Sequence, residues 1–267
     1  MGRNLASLFT LARRGVRTFQ IEGPLALFWK VFWRLPGSGR LLQDFVVKPF
    51  VVDSASLSNT DEAWDFAHSF HRLGVSIIPA QVRGEFLALC DLVRGIEPRI
   101  IVEIGTDLGG TLFVLTRAAS SDAVIISVDL PRWHLKSRSA LFEAFAHDEQ
   151  RILVVRGDSH SAAIVDKVAK SLDGREIDLL FIDGDHSYEG VKTDFKTYMR
   201  FVKNGGMIAF HDINPDNYSK FGGGEPKGGE VYRFWDETKR RFRHIEFIET
   251  PGQDGFGIGI LWMQRYP

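Results

Sequence analysis

The chain predicts an α/β protein: a doubly wound, Rossmann-like sheet of seven strands, mostly parallel with an antiparallel last strand, preceded by an N-terminal helical extension. Three observations carry this. From residue 100 onward, short β-branched apolar runs alternate with helical patterns. The first run, Ile100-Ile-Val-Glu-Ile104, turns through Gly105, Gly109 and Gly110 into an apolar helical segment at Leu112, giving a strand, a glycine turn and a helix N-terminus. The last two apolar runs are joined by Glu249-Thr-Pro-Gly-Gln-Asp-Gly255, which leaves no room for a crossover helix, so those two strands should pair antiparallel.

A chain of 267 residues, 44% hydrophobic and 25% charged, can bury one full α/β core and carry an appendage. Its net charge of −1 gives no footprint for nucleic acid. A single cysteine, Cys90, excludes an intramolecular disulfide and fits a reducing compartment, and no Cys/His cluster has zinc spacing. No run reaches the roughly 18–20 apolar residues of a membrane span, and the N-terminus has no secretory pattern. The expectation is a cytoplasmic protein.

Residues 1–50 differ from the rest. Arg3, Arg13, Arg14, Arg17, Lys30, Arg34, Arg40 and Lys48 face only Glu22 and Asp44, among many Leu, Phe and Trp. Two helices are expected there, parted by Gly23-Pro24 and ended by Pro36-Gly-Ser-Gly39. Two uses stand level: an interfacial helix on an anionic membrane, or an extension that packs on the domain or joins two copies of the chain. Residues 51–98 read as a helical lead-in. Asp61 to Phe70 is a helix capped by Asn59 or Thr60, and Gln81 to Val93 is another, with Phe86, Leu89 and Val93 at helical spacing. Strands are expected at 100–104, 123–128, 151–155, 177–182, 206–210, 243–248 and 256–263, with helices near 110–120, 138–148, 160–171, 187–202 and 229–241. The sheet domain spans 99–267.

Ligands of such sheets bind at the carboxyl ends of the strands. Five consecutive ends carry acids: Glu103, Asp129, Asp158, Asp183 and Asp212. Each singly could be a cap or turn residue, but a purely structural sheet has no use for five carboxylates along one edge. Asp129, ending the second strand, suits a ribose diol, as in dinucleotide-binding proteins. The order Gly105-Thr-Asp-Leu-Gly109-Gly110 is not G-x-G-x-x-G, however, and the acid at Glu103 disfavours a pyrophosphate while suiting hydroxyls, an ammonium or a sulfonium.

Taken together, Val102-Glu-Ile-Gly-Thr-Asp-Leu-Gly-Gly-Thr111, Ser127-Val-Asp129, Gly157-Asp158, Phe181-Ile-Asp-Gly-Asp-His-Ser-Tyr-Glu-Gly-Val191 and Lys203-Asn-Gly-Gly-Met-Ile-Ala-Phe-His-Asp-Ile213 resemble the class I S-adenosylmethionine-dependent methyltransferases. The resemblance is greatest to the small-molecule and sugar O-methyltransferases and the cephalosporin-hydroxylase-like proteins. It covers about residues 80–263. It implies S-adenosylmethionine as cofactor, with Glu103, Gly105 and Gly109 on its methionine side and Thr106 in the same turn. Asp129 would hold the ribose and Asp158-Ser159 would sit by the adenine; Leu130 or Trp133 packs on the adenine or belongs to the core.

In the metal-dependent members of the superfamily, acids after the fourth and fifth strands bind a divalent cation such as Mg²⁺. The matching positions here are Asp183 and Asp212, and His186 matches a general base. A hydroxyl must lose its proton as it attacks a sulfonium methyl, and a hard cation with a nearby base serves that end. His211 stands where a sugar-methylating subgroup has another acid, which leaves it a base, a softer-metal ligand or a hydrogen bonder. The resemblance thus implies O-methylation of a small-molecule or saccharide hydroxyl, with His186, Asp183 and His211 as the catalytic set. Two other readings remain: a cofactor-binding module without transfer activity that serves a partner protein, and an NAD-dependent oxidoreductase. No Asn-Pro-Pro-Tyr or Asp-Pro-Pro-Tyr motif follows the fourth strand, which disfavours methylation of a nucleic-acid base amine. Asn214 to Gly229, rich in glycine, reads as a lid over the site. The remaining histidines (His68, His71, His134, His147, His160 and His244) read as structural or surface residues.

Overall fold

The computed structural model describes residues 28, 32, 41–131, 138–217 and 228–264. The two helices expected within 1–40, Trp133, His134 and the middle of the 214–229 loop lie outside the described residues.

Seven strands form one sheet: β1 (Ile100–Ile104), β2 (Val124–Asp129), β3 (Arg151–Arg156), β4 (Ile177–Ile182), β5 (Val202–His211), β6 (His244–Phe247) and β7 (Ile258–Trp262). Their order is β3-β2-β1-β4-β5-β7-β6. The first five are parallel, and β7 runs antiparallel to both β5 and β6. The expected hairpin of the last two strands is therefore present, with β7 inserted beside β5. Strand β5 begins four residues earlier than its apolar run suggests. Val202 already pairs with Ile177 of β4, and the irregular register before the Leu179–Met207 pair takes up residues 203–206.

Helices α1 (Lys48–Ser54), α2 (Thr60–Ser69), α3 (Arg83–Arg94), α4 (Gly110–Thr116), α5 (Ser139–Glu143), α6 (Ala162–Leu172), α7 (Tyr188–Tyr198) and α8 (Val231–Thr238) complete the fold. A π-helical turn, Gln43–Val47, leads into α1. Asn59, not Thr60, caps α2: its Oδ1 accepts from Glu62 N at 2.9 Å. A short ladder joins His71–Arg72 to Val75–Ser76, which the sequence did not indicate.

The period-two alternation of each strand separates two cores. Ile101, Ile125, Leu179, Phe181 and Ala209 face residues of α1 to α5. Ile100, Val102, Ile104, Ile126, Leu180, Ile182 and Phe210 face α6, α7 and α8. The lead-in helices thus close the first face of the sheet. Phe50 of α1 sits at the centre of that face, with the rings of Phe66, Phe70, Phe113 and Phe145 at 5.0–5.6 Å. Reversal of strand order between β1 and β4 opens a crevice at their carboxyl ends.

Candidate active site

A cavity of about 760 Å³ occupies that crevice, within the usual range for a small-molecule site. The ends of β4, β1 and β2 meet closely there. Asp183 N donates to Ile104 O (2.8 Å) and Gly105 N donates to Val128 O (2.9 Å). Gly105 has φ +89°, and a Cβ there would overlap the Asp183 carbonyl oxygen, so only glycine fits. Gly110 is confined in the same way by the Ile77 carbonyl and Pro79, which brings residues 77–81 over the start of α4.

One end of the cavity is built from the glycine turn and β2. Asp129 is buried, and its Oδ2 accepts from Thr106 N (3.2 Å) and Asp107 N (2.8 Å), so this carboxylate holds the turn in place. Gly105, Thr106, Asp129, Leu130, Asp158 and Ser159 all line the wall. Asp158 Oδ1 accepts from His160 N (2.9 Å), and Ser159 O accepts from the Tyr198 hydroxyl (2.8 Å), which fixes the loop after β3. Leu130 is half exposed at the rim. Two expected residues stand behind the wall. Glu103 shares the sheet face of Ile101 and lies wholly under α4, where its Oε1 accepts from Thr111 Oγ1 (2.8 Å) and its Oε2 has no partner. Burial pushes its carboxyl up to about 8, against the hydrogen bonds that lower it. Gly109, at φ +91°, caps α4 beneath Phe142 and Phe145.

The other end gathers Asp183, His186, His211 and Asp212. Asp183 Oδ1 lies 3.2 Å from both His186 Nε2 and His211 Nδ1, and its Oδ2 accepts from Gln81 Nε2 at 2.6 Å. His186 Nδ1 lies 3.3 Å from Asp212 Oδ2. The electrostatics follow from this packing. Burial opposes ionisation of Asp183, but the two histidines outweigh it and hold the carboxyl well below the usual range. His211, 4% exposed, would be lowered by burial, yet the charge and hydrogen bond of Asp183 raise it to about 9. The hydrogen bond to Asp183 raises His186 against its burial, and burial raises Asp212. At neutral pH His211 is an imidazolium set against Asp183. The chain also passes closely here: Glu230 N donates to His186 O (2.7 Å), and a Cβ on Gly229 would overlap that carbonyl. The end of the 214–229 loop therefore rests on the site.

Four residues of the site were not visible in the sequence. Gln81 and Ile78 line the wall from the lead-in, as does Phe256 from the loop before β7. Phe256 has φ +59°, and its ring lies 6.1 Å from that of His211. His160, expected to be structural or at the surface, also lines the cavity, with Nε2 3.3 Å from the buried Asp194. Behind Phe256, Glu85 of α3 is buried and accepts from Glu249 N (3.1 Å), Gln253 Nε2 (2.5 Å) and Gly257 N (2.9 Å). No periodicity distinguishes that glutamate from a surface acid, because its partners, two backbone amides and the Gln253 side chain, lie some 170 residues away.

Residues 102–213 match a family described as a methyltransferase domain. Over 178 residues (64% of this chain) the protein is 25% identical to an uncharacterized protein of Sinorhizobium fredii, and the match spans 18% of that relative. Over 122 residues (44% of this chain) it is 31% identical to an uncharacterized protein of Acanthamoeba polyphaga mimivirus, spanning 53% of it. The chain thus spans about half or less of the length of these curated relatives. Among solved structures, it is similar to an O-methyltransferase from Bacillus cereus in complex with SAH: TM-score 0.51 and 20% identity, covering 81% of this chain and 97% of that one. That likeness shows the fold.

Proposed function

We propose, from the match of residues 102–213 to a methyltransferase domain, that the chain transfers a methyl group from S-adenosylmethionine to a hydroxyl oxygen of a small molecule or saccharide. The observation that supports this most is the pairing of two ends in one cavity: Asp129 with its glycine turn at one, the Asp183–His186–His211 cluster at the other. Bound S-adenosylmethionine supplies a sulfonium methyl carbon open to in-line attack. In this reading Asp129 would hold the ribose diol and Asp158 and Ser159 the adenine, with the backbone at Gly105 approaching the methionine portion; all of these residues line the one cavity.

The chain's own groups then handle one proton. His186 is held between Asp183 and Asp212 with both nitrogens facing carboxylates. An acceptor hydroxyl entering beside it replaces one of these contacts and gives its proton to His186 as oxygen bonds to the methyl carbon. Bound S-adenosylmethionine would supply the methyl group, its carbon–sulfur electron pair staying on sulfur, so that the products would be the methyl ether and S-adenosylhomocysteine. Asp183 orients His186 and stabilises the imidazolium that forms. His211 and Gln81 fix the Asp183 carboxylate.

A divalent cation fits this arrangement poorly. Asp183, His186 and Asp212 do bring ligand atoms within 4.8 Å of one another. Both oxygens of Asp183 are already engaged by three side chains, however, and His211 adds positive charge where a hard cation wants oxygen anions.

The test is calorimetric titration with S-adenosylhomocysteine on the wild type and Asp129→Ala, followed by radiolabelled methyl transfer to a panel of phenols, polyols and glycosides. Micromolar binding lost in Asp129→Ala, with transfer lost in His186→Ala, is expected. No binding by the wild type would overturn the cofactor. Normal binding with transfer indifferent to His186→Ala would overturn its role as base.

A further inference from the structure

The loop after β3 holds a second pairing of histidine and carboxylate. Asp194 of α7 is 0% exposed, in a core shared with Val191, Phe195 and Tyr198. Neither of its carboxylate oxygens makes an aligned hydrogen bond, which is costly for a buried acid. Its near neighbour is His160, whose Nε2 lies 3.3 Å from Asp194 Oδ1. Burial raises the Asp194 carboxyl, and Ser159 and His160 oppose that rise by favouring the ionised form. One turn further along α7, the Tyr198 hydroxyl donates to Ser159 O at 2.8 Å. Helix α7 therefore holds both residues of this loop, one by its carbonyl and the other by its ring.

The His160 ring has two unlike edges. Its Nε2 is buried against Asp194, whereas the side chain is 28% exposed and lines the cavity. A carboxylate beside Nε2 keeps the ring proton there, so Nδ1 carries a lone pair. Nδ1 stands 3.8 Å from Asp158 Oδ1, which accepts from His160 N at 2.9 Å. Asp185, also on this wall, accepts from Ser187 N at 2.9 Å. This stretch of wall thus presents acceptors: Asp158, Asp185 and His160 Nδ1. A primary amine offers two N–H donors from one nitrogen and can satisfy two such acceptors. A carbonyl oxygen in its place would face them unpaired. We propose that Asp194 is a positioning residue that fixes His160 as an acceptor, and that His160 with Asp158 selects a 6-amino purine over a 6-oxo purine. The inference rests on the reading of S-adenosylmethionine as cofactor, with its adenine at Asp158.

The experiment is calorimetric titration of the full chain with S-adenosylhomocysteine and with S-inosylhomocysteine, which carries a 6-oxo group instead of the amine. The wild type should bind the amino compound at least about thirtyfold more tightly. His160→Phe keeps a flat ring but no acceptor, and that ratio should fall by about fivefold or more. Asp194→Leu should lower the ratio in the same way, by freeing the ring to carry its proton on Nδ1. Asp194→Asn, whose side-chain carbonyl still accepts from Nε2, should retain most of the ratio. Equal weakening of both compounds in His160→Phe or Asp194→Leu, with the ratio kept, would reduce the pair to loop structure and overturn the proposal. So would a wild type that binds both compounds equally or prefers the oxo compound. His160 lies on the cavity wall, so His160→Phe decides the matter even where Asp194→Leu does not fold. A wild type that binds neither compound would overturn the cofactor reading and this inference with it, a result distinct from an altered ratio.

Discussion

Gln81 Nε2 donates to Asp183 Oδ2 at 2.6 Å, which ties a segment ahead of the sheet to the strand end where both histidines of the site meet. The amide orientation is set by the carboxylate, and it leaves Gln81 Oε1 buried without a partner. Gln81→Leu removes a charge-assisted hydrogen bond of about 1.5–3 kcal/mol but also a buried unpaired acceptor of similar cost. Urea unfolding should therefore show a loss of no more than about 1 kcal/mol, whereas methyl transfer should fall at least tenfold as Asp183 loses its orientation. A large stability loss with full activity would contradict this assignment.

Close approach of β1 and β4 predicts a second outcome. Gly105→Ala forces a Cβ onto the Asp183 carbonyl at a backbone angle that L-residues avoid. The two strand ends must separate, at a cost of about 3 kcal/mol or more, and binding of S-adenosylhomocysteine should be lost. Gly174→Ala shares the positive φ but meets nothing within 4 Å. It should cost only about 1 kcal/mol and keep binding intact, which separates backbone strain from the clash.

The buried charges give a pH dependence whose sign can be worked out. His211 is raised from 6.5 to about 9 in the folded state, so its contribution is complete below about 6.5 and is lost as pH rises through 9. Asp183 is held low, so its own contribution is present above about 4 and disappears in acid. Glu103, raised to about 8, also costs stability as pH rises from about 4.5, so stability measured by denaturant should decline toward alkaline pH, and the difference between wild type and His211→Gln isolates the His211 share. His211→Gln should flatten the alkaline decline. A wild-type protein as stable at pH 9.5 as at pH 6 would rule out the His211 charge; both pH values are approximate bounds of that window.

Most of the fold was legible because strand periodicity and glycine turns are local signals. Runs such as Ile100–Ile104 and Ile177–Ile182 declare buried parallel strands by themselves. The acids at the strand ends were also legible, since the topology places every carboxyl end on one edge. The residues that complete the site were not. Gln81, Glu85 and Phe256 act through partners far along the chain, and nothing in their neighbours' identities encodes those contacts. Glu103 shows the opposite limit: its position was evident, but its depth depends on α4 lying over the sheet face that it shares with Ile101.

Glu85 holds three N–H groups from residues 249–257 without a cation beside them in that network. Glu85→Gln keeps the shape but turns an NH₂ toward one of these donors. The expected cost is about 1–3 kcal/mol, together with faster hydrogen exchange at Gly257 and Glu249 than elsewhere in the sheet. Exchange that stays slow at both amides would mean that Asn214, which donates to Gln253 O (2.8 Å) and Gly255 O (2.9 Å), suffices to hold the loop.

Phe256 is the residue that this clamp presents to the cavity. It is held at φ +59°, a conformation that costs an L-residue roughly 1–2 kcal/mol. Asn214 N donates to its carbonyl at 2.8 Å, and Glu85 binds the next amide, so the strain is maintained from both sides. Phe256→Gly removes the ring and the strain together. Its stability should lie within about 1–2 kcal/mol of wild type, against about 3–5 for an ordinary buried Phe→Ala change. Because the ring borders His211 and leaves Asp129 untouched, binding of S-adenosylhomocysteine should persist while KM for the hydroxyl acceptor rises. A loss of S-adenosylhomocysteine binding instead would place Phe256 at the cofactor end of the cavity.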